Sequence, residues 1–225
     1  MWTTQEVART IDHVALKPYL TERDVVEACR IGVKYGVALV IVRPCDVSLA
    51  SGELEGSGVN PGAAVGFPLG GNRPEVKALE ARLAIEDGAR ELDMVMNIGK
   101  FLSGDYQYVR KDIQGVVSEA NKKDVLVKVV LEVCYLSDQQ IAIASEIARE
   151  AGADYVKTST GFGSGGAAPE SVDIMINTVG EAMGVKAAGG IRSWEKACSF
   201  LDQGCKRLGV GSTEAVLEGG PDPPE

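Results

Sequence analysis

The chain has 225 residues, 45% of them hydrophobic and 24% charged, a composition that suits one globular domain long enough to bury a sizeable core. Its 23 basic residues against 32 acidic ones give a formal charge of −9, and no run of Lys and Arg relieves it locally. Such a surface argues against nucleic acid and acidic membranes as partners, since both need a basic face.

The opening Met1-Trp2-Thr3-Thr4-Gln5-Glu6 carries no basic and then apolar leader, and the longest apolar run, 37–42, is far too short to span a bilayer. A cytoplasmic protein is expected. Cys29, Cys45, Cys134, Cys198 and Cys205 are scattered, no CxxC occurs, and His13 is the only histidine, so there is no Cys/His zinc ligand set. Reduced thiols are expected, with neither metal nor cofactor.

In chain order, a short apolar segment over 11–16 holds Asp12 and His13. Thr21 is placed to cap a helix on which Val25, Val26, Cys29 and Val33 recur at helical spacing until Gly36 stops it. Residues 37–42 read as a strand apolar on both faces, the kind buried in a parallel sheet. A third strand, 62–67, ends at Pro68. Pro74 then opens a helix whose expected buried face is Val76, Leu79, Leu83 and Ile85, up to Gly88. Strand four covers 91–97, with a long helix over 106–122; strand five covers 125–132, with a helix over 138–150. The sixth strand is short, carried by the β-propensity of Tyr155 and Val156, and runs through Lys157 into the loop 163–166. Pro169 starts the next helix, 185–188 is a seventh strand, Ser193 begins another helix, 207–211 is the eighth strand, and a short helix covers 212–218. Residues 219–225, mostly Gly and Pro, read as a flexible tail.

Eight strands alternating with helices over 1–218 is the count of an α/β chain folded as a single (β/α)8 TIM barrel. Gly36-Val37, Gly88-Ala89, Gly152-Ala153 and Gly184-Val185 form a weak internal repeat where a helix should stop and a strand begin. A doubly wound open sheet would normally show a phosphate loop such as GxGxxG after its first strand, and Lys17-Pro18-Tyr19-Leu20 is nothing like one.

Barrel enzymes gather their chemistry at the C-terminal ends of the strands. Strand one holds Asp12, strand four Asp93 and Asn97, strand five Lys128 and Glu132, strand six Lys157 and strand seven Lys186. Strands otherwise built of Val, Leu and Ile have no structural need for so many charges, so these groups must pair within a network. Two lysines facing one cavity have a specific use. The charge of each disfavours protonation of the other, burial acts the same way, and a neutral amine can form a Schiff base with a carbonyl while carboxylates move protons. The bland alternative is that Lys157 snorkels to solvent and that Lys128, Asp93, Asp12 and Glu132 merely neutralise one another. Glycine-bearing loops after the late strands, at Gly161, Gly189-Gly190 and Gly211-Ser212, suit a barrel phosphate cradle.

The stretches Lys157-Thr158-Ser159-Thr160-Gly161-Phe162, Val65-Gly66-Phe67-Pro68-Leu69-Gly70, 91–99 and 185–192 resemble the deoxyribose-phosphate aldolase family, in order and spacing, with the match running from 11 to 212. The resemblance implies a metal-independent class I aldolase that reversibly splits 2-deoxy-D-ribose 5-phosphate into D-glyceraldehyde 3-phosphate and acetaldehyde. It makes Lys157 the Schiff-base lysine, Lys186 the lysine that tunes it and Asp93 the proton-relay carboxylate, with Asp12 and Lys128 in support. Gly161, Gly189, Gly190 and Ser212 take the phosphate, and a homodimer or homotetramer is expected. Gly211, Ala187-Ala188, Arg43 and the lack of any tyrosine after Tyr155 depart from what many members carry. A related lysine aldolase acting on another sugar phosphate or an unphosphorylated aldehyde is the second reading. A silent barrel would have little reason to keep Asp93, Lys157 and Lys186 together.

Overall fold

The structure is a computed structural model and describes residues 1–222. Eight parallel strands, β1 (Ile11–Ala15), β2 (Leu39–Val42), β3 (Asn60–Val65), β4 (Glu91–Val95), β5 (Leu126–Val130), β6 (Tyr155–Lys157), β7 (Gly184–Ala188) and β8 (Arg207–Val210), close in sequence order into a barrel. Around them run α2 (Glu22–Tyr35), α4 (Pro74–Glu86), α6 (Tyr106–Ala120), α7 (Asp138–Glu150), α8 (Pro169–Val179) and α9 (Trp194–Gln203). Shorter helices complete the shell: α1 (Thr4–Ala8), α3 (Val47–Glu53), α5 (Ile98–Leu102) and α10 (Thr213–Leu217). The expected (β/α)8 barrel is the fold observed.

Local chemistry sets the boundaries. Asp24 accepts from both the backbone N–H and the hydroxyl of Thr21 at the start of α2, and Gly36 ends that helix at φ 63, a conformation open to glycine at little cost. Pro74 and Pro169 occupy first helical turns, where a missing N–H costs nothing. Gly184 works differently from the other repeat glycines. It lies within β7, and a Cβ there would meet the Tyr155 ring at 2.2 Å.

Two helix faces differ from the periodic reading. Val76, Leu79 and Leu83 on α4 are exposed (47, 46 and 47%), whereas Lys77, Ala81 and Ala84 face inward. Small residues let α4 lie close to the wall, and Lys77 is admitted because its ammonium finds Asp112 of α6 at 2.6 Å and the Val95 carbonyl at 2.8 Å. On α2, Val33 is likewise exposed and Tyr35 buried. Three strands, β3, β4 and β5, end two residues earlier than the periodic reading has them. Asn97 lies past β4 and caps α5, accepting from the Lys100 N–H at 3.0 Å, and Glu132 lies past β5 at φ 55. At the start of the expected tail, Gly220 N–H donates to Leu217 and Asp222 N–H to the Thr4 hydroxyl, while 223–225 lie outside the described residues.

The main core fills the space between sheet and helices. Inside the barrel, one side is apolar, lined by Leu16, Leu39, Ile41 and Ala64. The other side is charged, and it carries the site.

Candidate active site

Register builds the charged side. Asp93 on β4 pairs in register with Lys128 on β5, Lys157 on β6 with Lys186 on β7, and Lys186 with Arg207 on β8, so neighbouring strands present ionisable groups at matching heights. Glu91 stands two residues before Asp93 and shares its face. The side chains of Asp12, Asp93, Lys128, Lys157 and Lys186 are at most 1% exposed, and those of Glu91 and Arg207 are nearly as buried.

Asp93 Oδ2 accepts from Lys157 Nζ and from Lys186 Nζ, both at 2.7 Å. Its Oδ1 lies 3.3 Å from Lys128 Nζ. Asp12 Oδ2 accepts from Lys186 and stands 3.4 Å from Lys128, and Asp12 Oδ1 accepts from Arg207 at 2.7 Å. Glu91 bridges Lys128 and Arg207 at the base of the network.

Burial opposes every one of these charges, and the partners decide which survive. Burial raises the Asp93 carboxyl, but Lys157, Lys186 and Lys128 outweigh it and hold Asp93 well below the usual carboxylate range. Asp12 is likewise pushed up by burial and held down by Lys128, Lys186 and Arg207. Lys128 is lowered by burial but raised further by Asp12, Asp93 and Glu91, so it keeps its proton. Lys186 goes the other way: burial, helped by Lys157 and Lys128, brings it down to about 8 against the pull of Asp12 and Asp93. Four cations (Lys128, Lys157, Lys186, Arg207) thus face three carboxylates (Asp12, Glu91, Asp93), so the loss of one lysine proton balances the set.

A cavity of about 420 Å³ opens above the network, and Lys157 is the member of the set that lines it. Thr158, next in the chain, locks β6 to β7 by donating to the Ala188 carbonyl at 2.9 Å and accepting from its N–H at 3.0 Å. Glu132 accepts from the Thr160 hydroxyl and, at 3.3 Å, from its N–H, which fixes the following loop. Gly161, Gly189, Gly190 and Ser212 line the same cavity, and the three glycines hold φ of 82, 91 and 78. Lys157, Gly161, Gly189, Gly190 and Ser212 thus line one cavity, Asp12, Asp93, Lys128 and Lys186 form the network that Lys157 joins, and Asn97 is taken up by the α5 cap. Sequence reasoning missed Glu91 and Arg207. The signal was there, since each is a charge in an apolar strand on the face that also carries Asp93 or, through register, Lys186.

A buried lysine open to a cavity and sharing one carboxylate oxygen with a second lysine, on a (β/α)8 barrel, defines the class: a lyase of the aldolase kind. Residues 58–209 match the family described as DeoC/LacD family aldolase. A deoxyribose-phosphate aldolase of Thermococcus gammatolerans is 49% identical over 95% of this chain and 96% of its own, and that of Thermococcus kodakarensis is 48% identical over 97% and 98%. The deoxyribose phosphate aldolase of Aeropyrum pernix, whose structure is described as a unique tetramer, superposes with a TM-score of 0.90 at 36% identity over 96% of this chain and 91% of its own. This chain belongs to the DeoC/LacD aldolase family.

Proposed function

We propose that this protein is a deoxyribose-phosphate aldolase, reversibly cleaving 2-deoxy-D-ribose 5-phosphate to D-glyceraldehyde 3-phosphate and acetaldehyde through a lysine Schiff base. The observation that carries the assignment of roles is the geometry of three buried lysines around Asp93, of which Lys157 lines the cavity. The Lys157 amine adds to the C1 aldehyde, and loss of water gives the iminium. The C2–C3 bond then breaks as the C3 hydroxyl gives up its proton, releasing the phosphorylated triose and leaving a two-carbon enamine. Protonation of that enamine and addition of water return acetaldehyde and free Lys157. Asp93 Oδ2, within hydrogen-bond reach of the Lys157 nitrogen, is the carboxylate placed to relay these protons. Lys186 supplies the neighbouring positive charge, while Asp12 and Lys128 hold Asp93 and Lys186 in place. Backbone N–H groups at Gly161, Gly189, Gly190 and Ser212 receive the phosphate.

Borohydride reduction in the presence of deoxyribose 5-phosphate, followed by peptide mapping, tests these roles. Label on Lys157 and nowhere else is the expected result; label on Lys186 would invert the assignment. Gly211, which brings no hydroxyl to the cavity, favours the second reading, a related lysine aldolase acting on another sugar phosphate or an unphosphorylated aldehyde, and a substrate panel decides between the two.

We further infer a homodimer or homotetramer in the cytoplasm. The stripe Val76, Leu79 and Leu83 gives α4 an apolar face left about half exposed, and the five cysteines are free. Light scattering should give a multiple of the chain mass that falls in Leu79→Glu; a monomeric wild type would refute the assembly. Among the described residues, no helix is long and apolar enough to cross a membrane.

A further inference from the structure

A phosphate dianion entering the cavity must be compensated by charge, yet the cradle groups named above are neutral backbone donors. Three cations line the cavity: Lys157, Lys17 and Arg192. Lys157 serves as the amine, and no hydrogen bond or ion pair among the described residues fixes the Arg192 side chain. Lys17 is different. It sits on the loop after β1, and its ammonium lies 4.2 Å from the centroid of the Phe162 ring, in the loop that follows Lys157. That ring is itself anchored. Phe162 N–H donates to the Thr160 hydroxyl at 3.0 Å, Thr160 is held by Glu132, and the ring meets Phe67 edge-on at 5.6 Å and 88°. The backbone of the Lys17 loop is braced from the other side. Arg43, locked to Asp46 at 2.5 Å, donates to the carbonyls of Lys17 at 3.5 Å and Pro18 at 3.3 Å. Among the described residues no carboxylate pairs with Lys17, so its donors remain free for a ligand.

We propose that Lys17 is the specificity-determining cation for the substrate's phosphate group, with Phe162 as its platform and Arg43 as the residue that positions its loop. The proposal rests on the aldolase reading above. An ammonium on an aromatic face keeps its charge while losing rotamer freedom, so it contributes at a smaller ordering cost than a free surface lysine. Arg43 thereby gains a role as the brace of the Lys17 loop.

The test compares wild type, Lys17→Met and Lys17→Arg on deoxyribose 5-phosphate and on deoxyribose, with inorganic phosphate as a competing probe of deoxyribose cleavage. Lys17→Met should raise KM for the phosphorylated sugar about tenfold with little change in kcat, as for loss of one charge-assisted hydrogen bond. It should cost deoxyribose several-fold less, weaken inhibition by phosphate and flatten the salt dependence of the phosphate preference. Lys17→Arg should restore much of that preference. An unaltered KM, or equal losses on both sugars, would overturn the proposal, the second outcome making Lys17 a mere loop brace. Borohydride trapping of acetaldehyde on Lys157 in the same variants separates the two levels. Trapping intact with no phosphate effect sinks the Lys17 proposal alone, whereas no trapping in wild type sinks the aldolase reading.

Discussion

Two sets of buried charge lie on opposite sides of the barrel wall, and they differ in charge balance and in access to a cavity. Lys77 and Asp112 sit outside the wall, between α4 and α6, with both side chains fully buried and each the other's ion-pair partner. Burial pushes Lys77 down and Asp112 up, and each partner offsets the other's shift only in part. Whether the shared proton rests on the amine or on the carboxylate, the pair holds the same number of protons and carries no net charge. The interior set is unbalanced. Three carboxylates meet four cations, Asp93 stays ionised against its burial, and Lys186 is brought down to about 8. A buried lysine is therefore not in itself a sign of catalysis. What distinguishes Lys157 is a surplus of positive charge around it and a cavity beside it.

The largest test sets one member of each group against the other. Lys157→Leu should abolish turnover, since Lys17, the other amine that lines the cavity, has no carboxylate partner among the described residues, and should leave the fold as stable as before because it balances the interior at three cations to three carboxylates. Asp112→Ala should do the reverse. It strands the Lys77 ammonium in the core at a cost of about 3–5 kcal/mol, visible in the denaturant midpoint, while the folded fraction keeps its kcat. A stable, inactive Asp112→Ala, or a Lys157→Leu that unfolds, would erase the distinction drawn here.

A smaller effect concerns pH. Lys186, brought down to about 8 chiefly by burial, is charged below that pH and loses its charge as pH rises through it, while Asp93 Oδ2 is shared between Lys186 and Lys157. In Lys186→Leu the limb of the rate profile at about pH 8, where Lys186 loses its charge, should accordingly vanish. An unmoved limb with lower rates would mean that Lys186 acts by shape or by passing protons.

The smallest effect lies at the mouth. Gly211 is outside the left-handed region, and a Cβ built on it meets nothing within 4 Å, so serine fits without backbone strain. An added hydroxyl facing a charged group contributes roughly 1.5–3 kcal/mol at best, so Gly211→Ser should lower KM for deoxyribose 5-phosphate by up to about tenfold and leave deoxyribose cleavage as it was. If neither substrate improves, the absent hydroxyl does not limit phosphate binding.

Much of this was legible in the residues themselves. Glycine and proline punctuate the helices because glycine takes αL stops and proline takes first turns at little cost, and charges in otherwise apolar strands are costly enough to announce a site. The inner face of α4 was not legible, because a hydropathy pattern cannot foresee that Lys77 will find Asp112, 35 residues away, inside the wall. Nor were the ends of β4 and β5, where Asn97 and Glu132 spend their polar atoms on a helix cap and on Thr160.

By itself, then, the sequence determined the alternation that makes a barrel and marked Asp12, Asp93, Lys128, Lys157 and Lys186 as charges out of place in apolar strands, since both depend on local propensity and on the cost of burying charge. Only the tertiary structure decided which lysine reaches the cavity, that Glu91 and Arg207 complete the network, and that Lys17 stands over Phe162, from 145 positions further along the chain. Those facts depend on strand register and on barrel closure, which bring β1 beside β8, and no window along the chain contains them.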